Sequence, residues 1–323
     1  MRAAVHTHYG SPSVVEIQEI DKPTPKENEV LIKLFASTVN RTDSGFRSAE
    51  YFISRFWSGL FRPKYKTLGC EFSGEIVAIG SAVTLFKKGE KVFGYNDSKF
   101  GGHAQYRIAD EVDAMALIPA GFSFEEAAPL TEGSHYALSA IRAAKLKPNQ
   151  NVLVYGATGA IGSAAVQLLK YFDVKLTAVC NTKNVALIES FGIQNVVDYQ
   201  TQDFTKTNQK FDFILDAVGK SSFKECKPLL KPKGIYISTE LGKNGVNIPL
   251  ALFTPLFRGR KLLFPIPSIK KEDIELLKEL AENKIFKPVI DRVFLLEEIV
   301  EAYQYVETGQ KTGNVVLKID HED

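Results

Sequence analysis

The spacing of hydrophobic positions changes part-way along the chain. Up to about residue 118, short β-type runs alternate with Gly and Pro turns, as at 30–39, 71–79 and 91–95. In the first run Val30, Ile32, Leu34 and Ala36 alternate with Leu31, Lys33, Phe35 and Ser37, so this strand is apolar on much of both faces. Turn signals every ~10 residues predict a β-barrel or sandwich-like domain there. Between about 119 and 256 the pattern becomes strand, helix, strand. An apolar strand is predicted at 151–155, and Ile161, Ala164, Ala165, Leu168 and Phe172 mark one face of a helix over 160–172. Further strands are predicted at 175–180, 195–199, 211–218 and 234–239, with helices at 182–191, closed by Gly192, and at 222–230. Such alternation predicts a parallel, doubly wound sheet over 119–256. From 257 to 323 two helices, marked by Ile274, Leu277, Ala281 and by Ile299, Val300, Tyr303, Val306, alternate with strands, the last at 314–319. That tail is too short to stand alone and is expected to complete the first domain.

Length agrees with two domains, since 323 residues is about twice a common domain size. Lys plus Arg is 40 and Asp plus Glu is 38, a net charge of +2 with no long basic run, which argues against a nucleic-acid binder. The 3 cysteines, Cys70, Cys180 and Cys226, are too few for a disulfide framework or a four-cysteine zinc site. Residues 1–15 read as strand rather than as a secretory leader, and no run approaches the ~20 apolar residues of a membrane span. The expectation is a cytoplasmic protein without an integral membrane segment.

The sharpest motif is Gly156-Ala157-Thr158-Gly159-Ala160-Ile161-Gly162, set between an apolar strand and an amphipathic helix. Glycines at 156, 159 and 162 allow a tight turn, close approach of backbone to a pyrophosphate, and close helix-to-strand packing. The helix start then offers free N–H groups and a positive dipole end to the phosphates. About 20 residues on, NAD sites carry an acid for the ribose hydroxyl. The window 177–184 has none; Asn181, Thr182 and Asn184 offer neutral hydrogen-bonding groups and Lys183 a cation, which suits the 2′-phosphate of NADPH. The bland alternative is a helix cap with a solvated lysine.

With these residues in place, the chain resembles the medium-chain dehydrogenase/reductase superfamily, in the zinc-free branch of quinone oxidoreductases and enone reductases. The likeness runs through Tyr9-Gly10-Ser11-Pro12, Val39-Asn40-Arg41-Thr42-Asp43, Gly69-Cys70-Glu71-Phe72-Ser73-Gly74-Glu75, Lys88-Gly89-Glu90-Lys91-Val92, Gly101-Gly102-His103-Ala104, Ala127-Ala128-Pro129-Leu130-Thr131, the glycine loop, Val197-Asp198-Tyr199 and Asp216-Ala217-Val218-Gly219. It implies a GroES-like β-barrel catalytic domain from 1–118 and 257–323, a Rossmann NADP-binding domain at 119–256, an active site in the interdomain cleft, and a homo-oligomer paired through a strand of the Rossmann sheet. By the same likeness Thr131, Tyr199 and Phe264 join the cofactor contacts. Zinc-dependent relatives carry Cys where Asn40 stands and His where Cys70 stands, so too few ligands remain for a catalytic zinc. Asn40 then becomes the candidate for holding a substrate carbonyl oxygen, with Tyr51 as a second donor. Many relatives have Gly-Lys before the final strand; here Gly313 is followed by Asn314, and Lys311 lies two residues earlier.

The expected activity is hydride transfer from NADPH to a quinone or an α,β-unsaturated carbonyl, with aromatic residues of 46–68 as a cover for a flat acceptor. Two rival readings are an NADPH-binding sensor or scaffold with little turnover, and a metal-dependent alcohol dehydrogenase. His6 and His8 read as a surface pair, and no histidine sits in a metal-binding frame.

Overall fold

The computed structural model describes residues 1–50 and 55–321. In chain order the strands are β1 (Arg2–Val5), β2 (Glu16–Glu19), β3 (Glu29–Val39), β4 (Glu71–Ile79) and β5 (Lys91–Tyr95). They continue with β6 (Tyr106–Asp110), β7 (Met115–Leu117), β8 (Asn151–Tyr155), β9 (Lys175–Cys180) and β10 (Asn195–Asp198). The last are β11 (Phe211–Asp216), β12 (Leu230–Ser238), β13 (Lys261–Leu263), β14 (Ile290–Leu295) and β15 (Asn314–Lys318).

The first of two compact units comprises Met1–Glu132, Ile269–Lys284 and Pro288 onward. Its main sheet runs β14-β15-β3-β4-β5-β7, with β6 also on β3. One edge of β3 is shared: β6 takes Glu29 to Lys33 and β15 takes Ala36 to Val39. This central position explains the two-faced apolar pattern, because Val30, Leu31, Ile32, Leu34, Ala36 and Val39 are all buried. Helix Ile299–Glu307 lays Ile299, Ala302, Tyr303 and Val306 on the same core as Ile32, Phe72 and Ile76, which is why the C-terminal tail belongs here.

Gly133–Ser268 and Ile285–Lys287 form the second unit. Its sheet has the order β10-β9-β8-β11-β12-β13, and every neighbouring pair is parallel. That order, 3-2-1-4-5-6, is the Rossmann arrangement. Both the GroES-like and the Rossmann expectations therefore stand.

The domain boundaries differ from those read at 118/119 and 256/257. Residues 119–132 stay with the first unit because Ser73 Oγ donates to the Phe124 carbonyl at 2.6 Å and Thr131 is hydrogen-bonded to Glu71. Residues 257–268 go to the second unit because β13 pairs with β12. The short return at Ile285–Lys287 is held by Gln167, which exchanges hydrogen bonds with the Lys287 backbone at 3.0 Å in both directions.

Gly156 and Gly162 lock the start of helix Ala160–Tyr171 onto the end of β8. Gly156 has φ +76°, a left-handed conformation open to glycine. A Cβ on Gly162 would lie 2.0 Å from the Gly156 carbonyl oxygen, so helix and turn touch backbone to backbone. Gly162→Ala is expected to destabilise the protein by ~2 kcal/mol in urea unfolding, because neither backbone can yield cheaply.

Candidate functional site

In the second unit the chain leaves β8 at Tyr155 and turns through Gly156. The N–H groups of Gly156 and Ala157 both donate to the Val179 carbonyl, at 3.1 and 3.0 Å, tying the turn to β9. Gly159 is the N-cap of helix Ala160–Tyr171 and supplies no side-chain cap. The first helical N–H groups, those of Ala160, Ile161 and Gly162, therefore face outward from the turn without an intrahelical acceptor. A Cβ built on Gly159 would meet only the Gly156 oxygen, at 3.9 Å, so the space before the helix start is open. Open space beside uncapped helix N–H groups can receive a phosphate group.

Asn184 connects this loop to the window after β9: it is buried, and its Nδ2 donates to Thr158 Oγ1 at 3.4 Å. Asn181 Oδ1 is buried without a hydrogen-bond partner, an acceptor left over for a ligand hydroxyl. Lys183 is exposed. The structure adds an acid that the linear window did not show. Thr182 Oγ1 donates to Asp198 Oδ2 at 2.6 Å, and Thr182 N donates to Gln200 Oε1 at 3.1 Å. Asp198 is reached across the sheet, where it pairs with Cys180 in the β9–β10 register. Tyr199 is 46% exposed and meets Tyr155 edge-on at 6.3 Å, while Tyr155 stacks on Phe204 at 4.8 Å. Phe264 lies just beyond β13 and packs against the apolar core of this unit.

Asp216, in the run Asp216-Ala217-Val218-Gly219, organises the neighbouring loop. Its carboxylate accepts from the backbone N–H of Val218, Gly219 and Ser221 and from the Tyr236 hydroxyl, at 2.8 to 3.2 Å. Val218 in turn covers Gly156, where an added Cβ would lie 2.5 Å from Val218 Cγ1.

In the first unit a polar cluster gathers around Asn40 and Cys70. Asn40 caps helix Arg41–Ser48: its Oδ1 accepts from Asp43 N at 2.9 Å, completing a capping box with Asp43. Its Nδ2 donates to Cys70 Sγ at 3.0 Å. Cys70 Sγ lies 3.7 Å from Glu132 Oε2, and Thr42 Oγ1 donates to Glu132 Oε1 at 2.6 Å. Glu71, 1% exposed, accepts from Thr131 N, Thr131 Oγ1 and Glu132 N on one oxygen and from Thr38 Oγ1 on the other. The structure thus places Thr131 fully buried with its hydroxyl donated to Glu71. Lys311 is half-buried and donates to the Gly313 carbonyl. Tyr51 lies outside the described residues. His6 is not a surface residue: it is 2% exposed, with Nδ1 at 2.9 Å from the Lys66 carbonyl oxygen.

Burial dominates the titration of this cluster. It holds Glu71 above the usual carboxylate range despite the donors. Burial followed by the Glu71 charge raises Glu132 to about 8. Asp43 is raised to about 8 by burial. The Cys70 thiol is pushed well above its ordinary value by burial and then by Asp43 and Glu132. Burial lowers Lys311 to about 8 against the pull of Glu71, Asp291 and Glu132.

These donors do not fit a catalytic zinc. A catalytic zinc takes three protein ligands of thiolate, imidazole or carboxylate type, and the neutral Asn40 amide stands against Cys70 where one of them would be needed. The Asn40 amide also presents N–H, not oxygen, toward the sulfur. Among the described residues no group of three His, Cys, Asp or Glu side chains is arranged to hold a metal ion.

Asp43 and Glu132 bind protons up to about pH 8 when folded, against ordinary values of 3.8 and 4.5 when unfolded. Between those limits the folded state holds more protons, so stability falls as pH rises. His103 and His6, both lowered from 6.5 by burial, act oppositely but only below that value. The melting temperature is therefore expected to fall between pH 6.5 and 8, a loss of roughly 3 kcal/mol from the two carboxyls together. A flat or rising midpoint by scanning calorimetry contradicts this.

Residues 26–128 match the alcohol dehydrogenase GroES-like domain family, and residues 191–317 match the zinc-binding dehydrogenase family. The chain is 30% identical to the 2-methylene-furan-3-one reductase of Solanum lycopersicum over 98% of its own length and 79% of that protein. It is 28% identical to the NADPH-dependent alkenal/one oxidoreductase of Arabidopsis thaliana, a chloroplastic protein, with the same coverage of 98% and 79%. The structure of the quinone oxidoreductase from Coxiella burnetii superposes with a TM-score of 0.87 at 26% identity, covering 99% of each chain. With the glycine loop, the two folds and these likenesses together, the chain belongs to the medium-chain dehydrogenase/reductase superfamily and is an oxidoreductase enzyme.

Proposed function

We propose that this enzyme is a zinc-free, NADPH-dependent reductase of α,β-unsaturated carbonyls or quinones. The observation that carries the reading is the open, uncapped helix start at Gly159, with the Lys183 cation in the window that follows β9 and the Asp198 carboxylate engaged by Thr182 and the Gln200 N–H. The names of the reductases it resembles support the acceptor class. Bound NADPH supplies the hydride. The backbone from Gly156 to Gly162 would hold the pyrophosphate, Lys183 would attract the 2′-phosphate, and Tyr199 would flank the adenosine end. Asn40 can steady an acceptor oxygen only by giving up its long contact to Thr38, because its oxygen serves Asp43 and its Nδ2 donates to Cys70 Sγ at 3.0 Å and to Thr38 Oγ1 at 3.5 Å. Tyr51 stays a second donor in this reading. Cytoplasmic residence accords with three free, buried cysteines. A homo-oligomer accords with the exposed Leu252, Phe253, Leu256 and Phe257 next to the edge strand β13.

A steady-state screen of enones and quinones with NADPH tests the activity; NADPH binding without turnover on any of them would identify a sensor or scaffold instead. Two variants assign the cofactor contacts. Gly159→Val has room to fold yet fills the space before the helix start, so it should abolish NADPH binding while keeping the wild-type melting temperature. Lys183→Ala should raise the Michaelis constant for NADPH ~10-fold and leave that for NADH unchanged, since one charge-assisted contact is lost. An equal effect on both cofactors would remove Lys183 from the 2′-phosphate site.

The donor set around Cys70 predicts that turnover survives prolonged chelation and that purified active enzyme holds less than stoichiometric zinc. Loss of activity on chelation, restored by zinc, would establish the metal-dependent alternative.

A further inference from the structure

We infer that Glu132 is the proton source of this reductase and that it delivers its proton through the hydroxyl of Thr42, an inference that rests on the enone-reductase reading above. Two neighbouring carboxyls show why it is Glu132 and not Glu71. Glu71 is sealed at 1% exposure and its oxygens are saturated by four donors, two of them backbone N–H groups that cannot take a proton in return. Glu132, 5% exposed, meets groups of another kind: the Thr42 hydroxyl at 2.6 Å and the Cys70 thiol at 3.7 Å. A hydroxyl gives one proton while accepting another, so it can pass a proton onward without moving far. Thr42 is half-buried, whereas Glu132 and Cys70 are buried, so of the three it is the residue that solvent reaches. Asn40, the residue assigned to the acceptor oxygen, touches the same thiol at 3.0 Å.

The ionisable groups that bear on Glu132 are Glu71, Asp43, Cys70, Tyr95 and Lys311. Glu71 and Asp43 repel its charged form, while Tyr95 and Thr42 donate to it and Lys311 attracts it. Burial prevails over these, and the carboxyl holds its proton to about pH 8. Asp43 also keeps its proton to about pH 8, but it is fully sealed and accepts from the backbone N–H groups of Asn40 and Gly69, so Glu132 is the neutral acid in contact with a hydroxyl. Hydride addition to the β-carbon of an enone leaves an enolate. With Glu132 protonated the contact reverses, the carboxyl donating to Thr42 Oγ1 and Thr42 turning its own proton to the enolate, whose electron pair takes it to form the α-carbon–hydrogen bond. Thr42 takes the Glu132 proton, Glu132 becomes a carboxylate, and a proton from solvent restores it. In sum NADPH and one proton are consumed, the alkene is reduced and the cofactor is oxidised.

The test uses the full-length enzyme with an alkyl vinyl ketone, following kcat against pH and, separately, the NADPH dissociation constant by fluorescence. The wild type should lose kcat above about pH 8 as Glu132 ionises. Glu132→Gln, nearly the same shape, should lower kcat ~100-fold, abolish that alkaline limb and leave NADPH affinity intact. Thr42→Val keeps the acid but breaks its exit and should fall similarly in kcat. Lys311→Met removes a nearby cation, so the limb should move to higher pH. Wild-type kcat in Glu132→Gln, or a limb that persists there, overturns the inference; if that variant does not fold, wild-type kcat in Thr42→Val overturns it. Failure of the underlying reading has a different signature, namely wild-type enzyme that binds NADPH but reduces no enone at any pH.

Discussion

Burying one carboxylate, Glu71, organises the polar interior of the first unit. An ion taken out of water costs several kcal/mol unless its oxygens are satisfied. Here one oxygen draws three donors from Thr131 and Glu132 and the other draws Thr38 from β3. Hydrogen bonds to a charge contribute ~1.5–3 kcal/mol each, so together they offset the burial. They also fix a chain segment that would otherwise be free to stray: residues 128–132 are drawn onto β3 and β4, with Ser73 gripping the Phe124 carbonyl a little upstream. The Glu132 side chain is placed against Thr42 and Cys70 because its own N–H is spent on Glu71.

Three carboxyls crowd this interior, Asp43, Glu71 and Glu132, and they cannot all ionise at low dielectric. The geometry selects which one bears charge. Glu71 has the most donors, so a charge is best accommodated there; Asp43 and Glu132, with fewer, keep protons to about pH 8. Lys311 answers the remaining charge from half-buried ground. A divalent ion would neutralise such a cluster in another way, by stripping protons from the thiol and acids. Here burial and the neighbouring carboxyls keep the thiol protonated, while the Asn40 N–H directed at Cys70 pulls the other way.

What was legible in the sequence is what local spacing encodes. Strands β8 and β9 fall at the residues read from their apolar runs, and the helix after the glycine loop begins at Ala160 as expected. Gly156 and Gly162 take the turn and helix-packing roles read for them, with a positive φ and a backbone contact, and Gly159 leaves open space before the helix. Long-range pairing was hidden. Nothing in the window 177–184 says that β10 lies beside β9 and brings Asp198 to Thr182. His6 reads as a surface residue by strand parity, but the chain at Lys66 folds over it. Asn40 and Thr131 read from sequence as ligand-facing groups; both side chains are engaged within the protein, Asn40 by Asp43, Cys70 and Thr38 and Thr131 by Glu71. The boundary after 256 was missed because β13, only Lys261–Leu263, is too short to announce itself beside Pro265 and Pro267.

Asp198 also alters the electrostatics of cofactor choice. A 2′-phosphate carries close to two negative charges near neutral pH and needs more attraction than repulsion where it lies. Lys183 supplies a cation from an exposed position, where solvent weakens its pull. Asp198 sets a carboxylate against the hydroxyl of the preceding residue and takes Thr182 out of the set of free donors. Part of its charge is engaged by the Gln200 N–H at 3.0 Å and by Thr182, which limits the repulsion without cancelling it. Asn181, with an unpartnered buried oxygen, suits a ribose hydroxyl better than a phosphate. A window that looks one-sided in linear sequence is therefore a contest in the folded protein. The discrimination it can supply is nearer one charge-assisted contact, ~1.5 kcal/mol, than the sum of four donors.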